Sequence, residues 1–508
     1  MSDITIDARG LGALDPVDGR GPFANEDDTV WAALDGEIYN RSRLQRLLVD
    51  RDHRLATGSD AELLAHLYEE YGDDLVYALE GAFALAIWDQ RERRLLLARD
   101  RFGEKSLFYA KGPADELSFS FASTAPAPGG RAAELDPLAV EQFFVHGHVP
   151  DGMSIFADAG RLAPGHLLVW RPGEEPAARR YWELPRAIAT DAETPSDVVR
   201  EFGRLLTAAV RSRLSGDEPI GVPLDGGLDS TLIAAIAARE SGEPVKTFTV
   251  AYAGGDSEAL EGIRETAREL GSEHQEMVIS TDEIVAGAPD FLGALDQPLA
   301  DPFFPVARTI AGFARGEVPV ALGGEGAAEL FGAPVSAAAR PTDGGAIYGP
   351  RLTGEQPRPP DRAEGPSGLL GRALVSAERA GDQVSLGIRL PYLDYELAEF
   401  AATVASPAGA GGGNLVRGML AGLVSKGSLR RRRVTLNPPT ADWLRGPLGS
   451  ALREQTNGRA VTEGWLDATA LGRLIEQHEK GTDHSAVLWP ALSFGLWLDR
   501  IREGDSGS

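Results

Sequence analysis

The chain has 508 residues, of which 43% are hydrophobic and 25% charged, with a formal net charge of −26 and no cysteine. That length holds two or three domains with cores that need no staples. The missing cysteine excludes disulfides, thiolate metal sites and thiol nucleophiles, and the negative field opposes nucleic acid and anionic membranes as partners.

The N-terminus, MSDITIDARGLG, has no basic region leading into an apolar run. Nowhere do about 18 uncharged apolar residues stand together, so a cytoplasmic protein is expected. Residues 29–125 read as an α+β unit: TVWAALDGEIY is rich in strand formers, DAELLAHLYEEYGDDLVYAL spaces Leu and Tyr as a helix does, and AFALAIWDQRERRLLLARDRFGEKSLFYA is strand, polar turn and strand. WELPRAIATDAETPS, at 182–196, reads as a linker. Beyond it PIGVPLD precedes a helix, VKTFTVAYAG precedes EALEGIRETARELG, and EVPVALGGEG precedes AAELFG. Strands alternating with helices predict a parallel, helix-covered sheet. Residues 334–366, rich in Gly, Pro and Arg, predict a mobile loop, and the remainder reads as mostly helical.

The stretch PLDGGLDSTL, 223–232, carries the chemistry. An apolar run (Ile220, Val222, Leu224) meets two glycines, and Asp229, Ser230 and Thr231 then open an Ala-rich helix. Strand, Gly-Gly turn and helix N-terminus together aim backbone N–H groups and a helix dipole at an anion. Asp225 sits at the mouth of that turn, where its carboxylate repels a phosphate.

On GEIYNRSRL, GSDAELLAHLYEEYGDDLVYALEGAFALAIWD, LLLARDRFGEKSLFYA, GHVPDGMSIFADAGRLAPGHLL, GGLDSTLIAA, LDQPLADP, ALGGEGAAELFG, IRLPYLDYELAEFA and DHSAVLWPALSFGLWLDR, the chain resembles the asparagine synthetase family. These are two-domain amidotransferases with β-lactam-forming and peptide-cyclising relatives. The resemblance implies a mixed α/β and α+β fold: an Ntn-hydrolase-like β-sandwich with helices over 1–185, and over 196–508 a parallel-sheet ATP-pyrophosphatase domain with a helical C-terminal part. It implies glutamine hydrolysis in the first domain. In the second it implies adenylation of a carboxylate with ATP and magnesium, then coupling to a nitrogen nucleophile.

Departures from the family pattern point elsewhere. Family members begin with a nucleophilic cysteine, whereas this sequence starts inside the pattern and has none. The family's NGE reads Asp35-Gly36-Glu37, and a carboxylate cannot donate to an oxyanion unless protonated. Asp60 matches the residue that holds the glutamine amino group and is read as a structural turn carboxylate. Relative to SGGLDS the first serine is Asp225, while Gly226, Gly227, Asp229 and Ser230 remain. The second aspartate of SGDGGDELFG, which with Asp229 holds magnesium in the family, is Ala328. The glutamate of LDEPFADP is Gln297, the lysine of RPKxGF aligns with Arg433, and the following Gly-Phe is Thr435-Leu436. An ATP site needs a cationic or metal-neutralised cradle for about four negative charges, and these changes oppose that need.

The expectation is therefore a truncated, glutaminase-like first domain without its catalytic cysteine, and a second domain repurposed for natural-product metabolism with no cofactor. Acid–base chemistry such as cyclisation, dehydration, isomerisation or hydrolysis would fall to Asp225, Asp229, Glu325, Glu329, Arg433 and Gln297, because clustered carboxylates hold one another's pKa values up. Leu224, Gly226, Gly227, Ser230, Val250 and Gly324 would bound the former nucleotide site. The alternatives are an ATP- and magnesium-dependent amide or lactam synthetase using ammonia or a substrate amine, with Asp229 as metal ligand, and a non-catalytic partner-binding member. A small-molecule substrate is the expected partner, and a homodimer stays open. Glu329 alternatively caps its helix, His484 reads as a packed residue, and His146 and His148 have metal-like spacing without a third ligand in sequence.

Overall fold

The computed structural model describes residues 4–7, 10–11, 22–112, 117–121, 134–185, 196–216, 218–331, 347–352, 367–404, 412–430, 434 and 436–504. The chain divides into two compact units. One is Met1–Glu183 with Leu295–Gln297 and Gly504–Ser508, and the other is Leu184–Ala294 with Pro298–Glu503.

The first unit holds β1 (Ile4–Asp7), β2 (Gly10–Leu11), β3 (Phe23–Ala24), β4 (Val30–Ile38), β5 (Gly81–Asp89), β6 (Arg94–Arg99), β7 (Phe108–Lys111), β8 (Leu117–Ser120), β9 (Ala159–Arg161), β10 (His166–Trp170) and β11 (Ala177–Arg180). They form two antiparallel sheets, ordered β2-β1-β8-β7-β9 and β11-β10-β6-β5-β4-β3. The central strand β5 is buried on both faces. Phe83, Leu85 and Ile87 pack with Leu44 and Leu48 of the helix Arg41–Val49 and with Leu63, Leu64 and Leu67 of the helix Asp60–Tyr71. Ala84, Ala86 and Trp88 pack instead with Leu117 and Phe119 of the other sheet. A strand covered on both sides loses its polar alternation, which is why GAFALAIWD reads as one apolar run. The helix Arg41–Val49 and strands β9 to β11 lie outside what the periodicity foretold.

The second unit carries β12 (Ile220–Pro223), β13 (Lys246–Tyr252), β14 (Glu273–Ile279), β15 (Val320–Leu322) and β16 (Gly387–Arg389) in one parallel sheet ordered β14-β13-β12-β15-β16. The expected strand–helix alternation is present, and the chain order reverses between β12 and β15. That switch point is where doubly wound sheets open a crevice at their strand C-termini. The helix Leu228–Glu240 is buried from Thr231 through Ala237. It packs with Phe202, Leu205 and Leu206 of the helix Ser196–Arg213 and with Leu415 and Val416.

Of the expected 334–366 loop only 347–352 is described, where Tyr348 bridges to Leu466; the rest, like residues 186–195 of the linker, lies outside the described residues. Among the described residues no helix is long and apolar enough to cross a membrane.

Candidate functional site

The site is built by the two turns flanking the switch point. After β12, Leu224 continues the strand: its N–H donates to the Phe248 carbonyl at 2.7 Å, and the Thr249 hydroxyl donates to the Leu224 carbonyl. Gly226 then turns the chain at φ +80°, a region glycine adopts without strain, and Gly227 caps the helix Leu228–Glu240. The Asp225 carboxylate folds into this turn. One of its oxygens accepts the Gly227 N–H at 2.9 Å and also the Ser230 hydroxyl. Val434 N–H donates to the Asp225 carbonyl at 2.8 Å and fixes the turn from the far side.

After β15, Gly323 N–H donates to the Arg389 carbonyl at 2.9 Å. A Cβ on Gly323 would lie 2.2 Å from Glu325 Oε2 and 2.6 Å from Leu390 Cδ2, so a side chain here would displace the Glu325 carboxylate. Glu325 Oε2 is buried from solvent, and Glu329 stands in the short helix Ala327–Phe331. The two turns meet at Gly324, where a Cβ would stand 3.8 Å from Asp229 Cβ. Tyr392 donates its hydroxyl to the Asp229 carbonyl at 3.3 Å, and burial, with the Asp229 charge beside it, pushes that phenol well above its ordinary 10. It therefore stays a donor at any physiological pH.

Between the turns lies a cavity of about 580 Å³. Asp225, Asp229, Glu325 and Glu329 line one part, with Gly227, Ser230, Gly324 and Asn437. The rest is apolar: Ala307, Ile310, Ala311 and Ala314 of the helix Phe304–Arg315, Ala377 and Ala380 of the helix Ser367–Asp382, and Leu386 and Ile388. Among the described residues no Lys, Arg or His lines it, and Ala328 presents a methyl group where the resemblance places a magnesium ligand. Among the described residues these carboxylates are not among the groups that bring three or more ligand atoms within 4.8 Å of one another.

The structure thus gathers Asp225, Asp229, Glu325, Glu329, Gly227, Ser230 and Gly324 around one space. Leu224 and Val250 are core residues at 1% and 4% exposure rather than lining residues, and Gly226 serves the turn. Gln297 stands elsewhere. It is buried in the first unit, and its Oε1 accepts the Ile155 N–H at 2.8 Å, so its amide serves a backbone partner rather than the cavity. Arg433, with Thr435, lies outside the described residues. What the sequence did not announce is the apolar wall. Ala307, Ile310, Ala311 and Ala314 recur at helical spacing, and such a stripe reads as core whether it faces a neighbour or a cavity.

In the first unit, Asp35 is buried on β4 opposite Ala84. Asp60 Oδ2 accepts the Ile38 N–H at 3.0 Å, and Oδ1 pairs with Arg41 Nε at 2.8 Å. Burial nevertheless raises the Asp60 pKa, against both partners. His146 Nε2 meets Gln142 Oε1 at 2.9 Å, and His148 Nδ1 faces the His146 carbonyl at 3.3 Å, so each ring has a local partner. His484 is half-buried ahead of the helix Ser485–Gly504, and its N–H donates to His478 Nδ1 at 3.0 Å.

Residues 2–182 match the family model of the glutamine amidotransferase domain, and residues 201–344 and 368–499 match that of asparagine synthase. The chain belongs to the asparagine synthase family. It is 26% identical over 564 residues to asparagine synthetase [glutamine-hydrolyzing] 1 of Bacillus subtilis (strain 168), covering 96% of this chain and 88% of the relative. It is 31% identical over 341 residues to asparagine synthetase [glutamine-hydrolyzing] 3 of Arabidopsis thaliana, covering 63% of this chain and 52% of that protein. Among solved structures, the glutamine phosphoribosylpyrophosphate amidotransferase from B. subtilis complexed with ADP and GMP aligns at 14% identity and a TM-score of 0.23, over 51% of this chain and 64% of that one.

Proposed function

We propose that this member of the asparagine synthase family is a cytoplasmic enzyme of specialised metabolism that converts a small molecule by acid–base chemistry, without hydrolysing glutamine and without ATP. The observation that carries the reading is the Asp225 carboxylate bonded to the Gly227 N–H and the Ser230 hydroxyl. A nest of donors at a helix N-terminus binds one anion, and here the chain supplies that anion itself. A phosphate brought to about 4 Å of it meets repulsion of ~4 kcal/mol per pair of unit charges at an effective dielectric of about 20. With Ala328 where the resemblance places a carboxylate, the described lining lacks the second magnesium ligand that a bound nucleotide would call on.

The cavity suits a substrate with a basic or hydroxylated head among the carboxylates and an apolar body along the Ala, Ile and Leu wall. Asp225 and Glu325 are the acid–base pair, one carboxyl giving a proton as the other takes one. Cyclisation by addition, dehydration and isomerisation all balance by proton transfer alone, so none needs a cofactor. The first unit, with Asp35 where the family pattern has an oxyanion-donating Asn, serves as scaffold in this reading.

The second reading is an ATP- and magnesium-dependent amide or lactam synthetase fed by ammonia or a substrate amine. The Gly226-Gly227 turn, Asp229 and Ser230, retained at the switch point, favour it. Calorimetric titration with magnesium-ATP, beside a pyrophosphate-release assay against a small-molecule extract of the source cells, separates the two. Micromolar binding with pyrophosphate release sinks the first reading. No heat and no pyrophosphate, with an extract component converted by the wild type and untouched by Asp225→Asn, sinks the second.

A further inference from the structure

Four side chains of the first unit converge on one point. Glu26 comes from the turn between β3 and β4, and His53 from the connection between the helices Arg41–Val49 and Asp60–Tyr71. His66 and Glu69 stand one turn apart on the second of these helices. Each offers one ligand atom, and those atoms all lie within 4.8 Å of one another. His53 Nδ1 is 3.2 Å from His66 Nδ1, and His66 Nδ1 is 3.1 Å from Glu26 Oε2. Glu26 Oε1 is 3.6 Å from His53 Nδ1, while Glu69 Oε2 is 3.7 Å from His66 Nδ1 and 3.8 Å from His53 Nδ1. Ligands held about 2.0–2.2 Å from a tetrahedral ion stand about 3.3–3.6 Å apart, which is close to this spacing.

A second observation concerns the outward face of each ligand. His53 Nε2 is 3.0 Å from Glu70 Oε1. His66 Nε2 is 4.0 Å from Oε1 of the buried Glu62, whose other oxygen accepts the Thr57 N–H at 2.7 Å. The Glu70 carboxylate bonded to His53 Nε2 favours the Nε2–H tautomer of that ring, which turns its Nδ1 lone pair toward His66 Nδ1. Glu26 Oε1 is fixed by the Arg54 N–H at 2.9 Å, and Glu69 Oε1 by the Asn25 amide at 2.8 Å. Lone pairs from two imidazoles and two anchored carboxylates pointing at one spot repel unless a proton or a metal cation stands there. Outer partners that set the tautomer and pin the oxygens are what a metal centre requires of its surroundings.

We propose that Glu26, His53, His66 and Glu69 bind one divalent transition-metal ion, zinc foremost, in a tetrahedral site. Two nitrogens with two oxygens suit zinc, whereas magnesium and calcium take oxygen ligands at higher coordination number. The protein fills all four positions, so the site is structural. It ties the β3–β4 turn and the connection before the helix Asp60–Tyr71 onto that helix.

The test uses the full chain, prepared without a polyhistidine tag, stripped with a chelator and dialysed. Calorimetric titration with zinc chloride is expected to show one site per chain. Glu26→Gln, at a side chain 41% exposed, should weaken binding by at least about tenfold, and His53→Gln by more. His66 is fully buried, so its replacement risks the fold and is left out of the test. Bound cobalt should give the intense visible absorption of a four-coordinate ion, and zinc should raise the melting temperature of the wild type but not of His53→Gln. Absence of zinc binding, or binding that both variants retain unchanged, overturns the proposal.

Discussion

At the residue scale, the proposed function turns on one carboxylate. Asp225 takes the donors of the Gly-Gly turn, so exchanging it alone clears the nest but leaves Ala328 without a metal ligand. Asp225→Ser combined with Ala328→Asp is expected to gain at least about tenfold in magnesium-ATP affinity by calorimetry, since one relieved charge contact exceeds the ~1.4 kcal/mol that a decade requires. His148 makes a second residue-level prediction. Desolvation pushes its imidazole down from 6.5 to about 4, although the Asp151 charge pulls the other way. Between those values the unfolded chain binds the proton and the folded chain does not, so stability is full above pH 6.5 and falls as the pH drops toward 4. His148→Asn, which keeps a donor for the His146 carbonyl, should flatten that fall by roughly 2–3 kcal/mol in urea midpoints measured across pH 4.5–7.

At the element scale, the pairing of β4 with β5 depends on two glycines. Gly36 sits at φ +116°, and a Cβ there would lie 2.0 Å from the Ala82 carbonyl oxygen; a Cβ on Gly81 would lie 2.2 Å from that of Glu37. Gly36→Ala is expected to destabilise the first unit by about 3 kcal/mol or more, read as a shifted denaturation midpoint. Much of this architecture was legible. β5 announced itself as an apolar run, the strand–helix alternation after residue 196 foretold the parallel sheet, and Asp225 stood out as a charge against its motif. The polar strand β14 was not legible, because EHQEMVI sits at a sheet edge and leaves Val278 59% exposed. Nor could sequence show that Asp225 turns inward to satisfy the nest, which is a matter of rotamer. Gln297 was matched by motif position, but its buried amide was claimed by the Ile155 backbone. Glu26, His53, His66 and Glu69 escaped notice because no fixed spacing links a turn, a loop and a helix.

For the whole molecule, the proposed exclusion of nucleotide has two sources, the net charge of −26 at long range and the Asp225 carboxylate at contact, and they respond differently to salt. The summed field is screened over about 10 Å at 0.1 M ionic strength and about 3 Å at 1 M. The Asp225 carboxylate occupies the nest itself, so a phosphate about 4 Å away stands within the screening length up to about 0.5 M, and screening cannot free donors that are already bonded. Wild-type protein is therefore expected to give no magnesium-ATP heat from low salt to about 0.5 M, while the Asp225→Ser, Ala328→Asp variant binds at both. If salt alone restored binding to the wild type, exclusion would belong to the global field and the nest would be competent as it stands. The same field attracts a cationic head group toward the carboxylates lining the cavity. Association of a basic substrate should accordingly slow as salt rises, whereas that of a neutral hydroxylated one should not, and stopped-flow rates at two ionic strengths tell which kind of head the cavity takes.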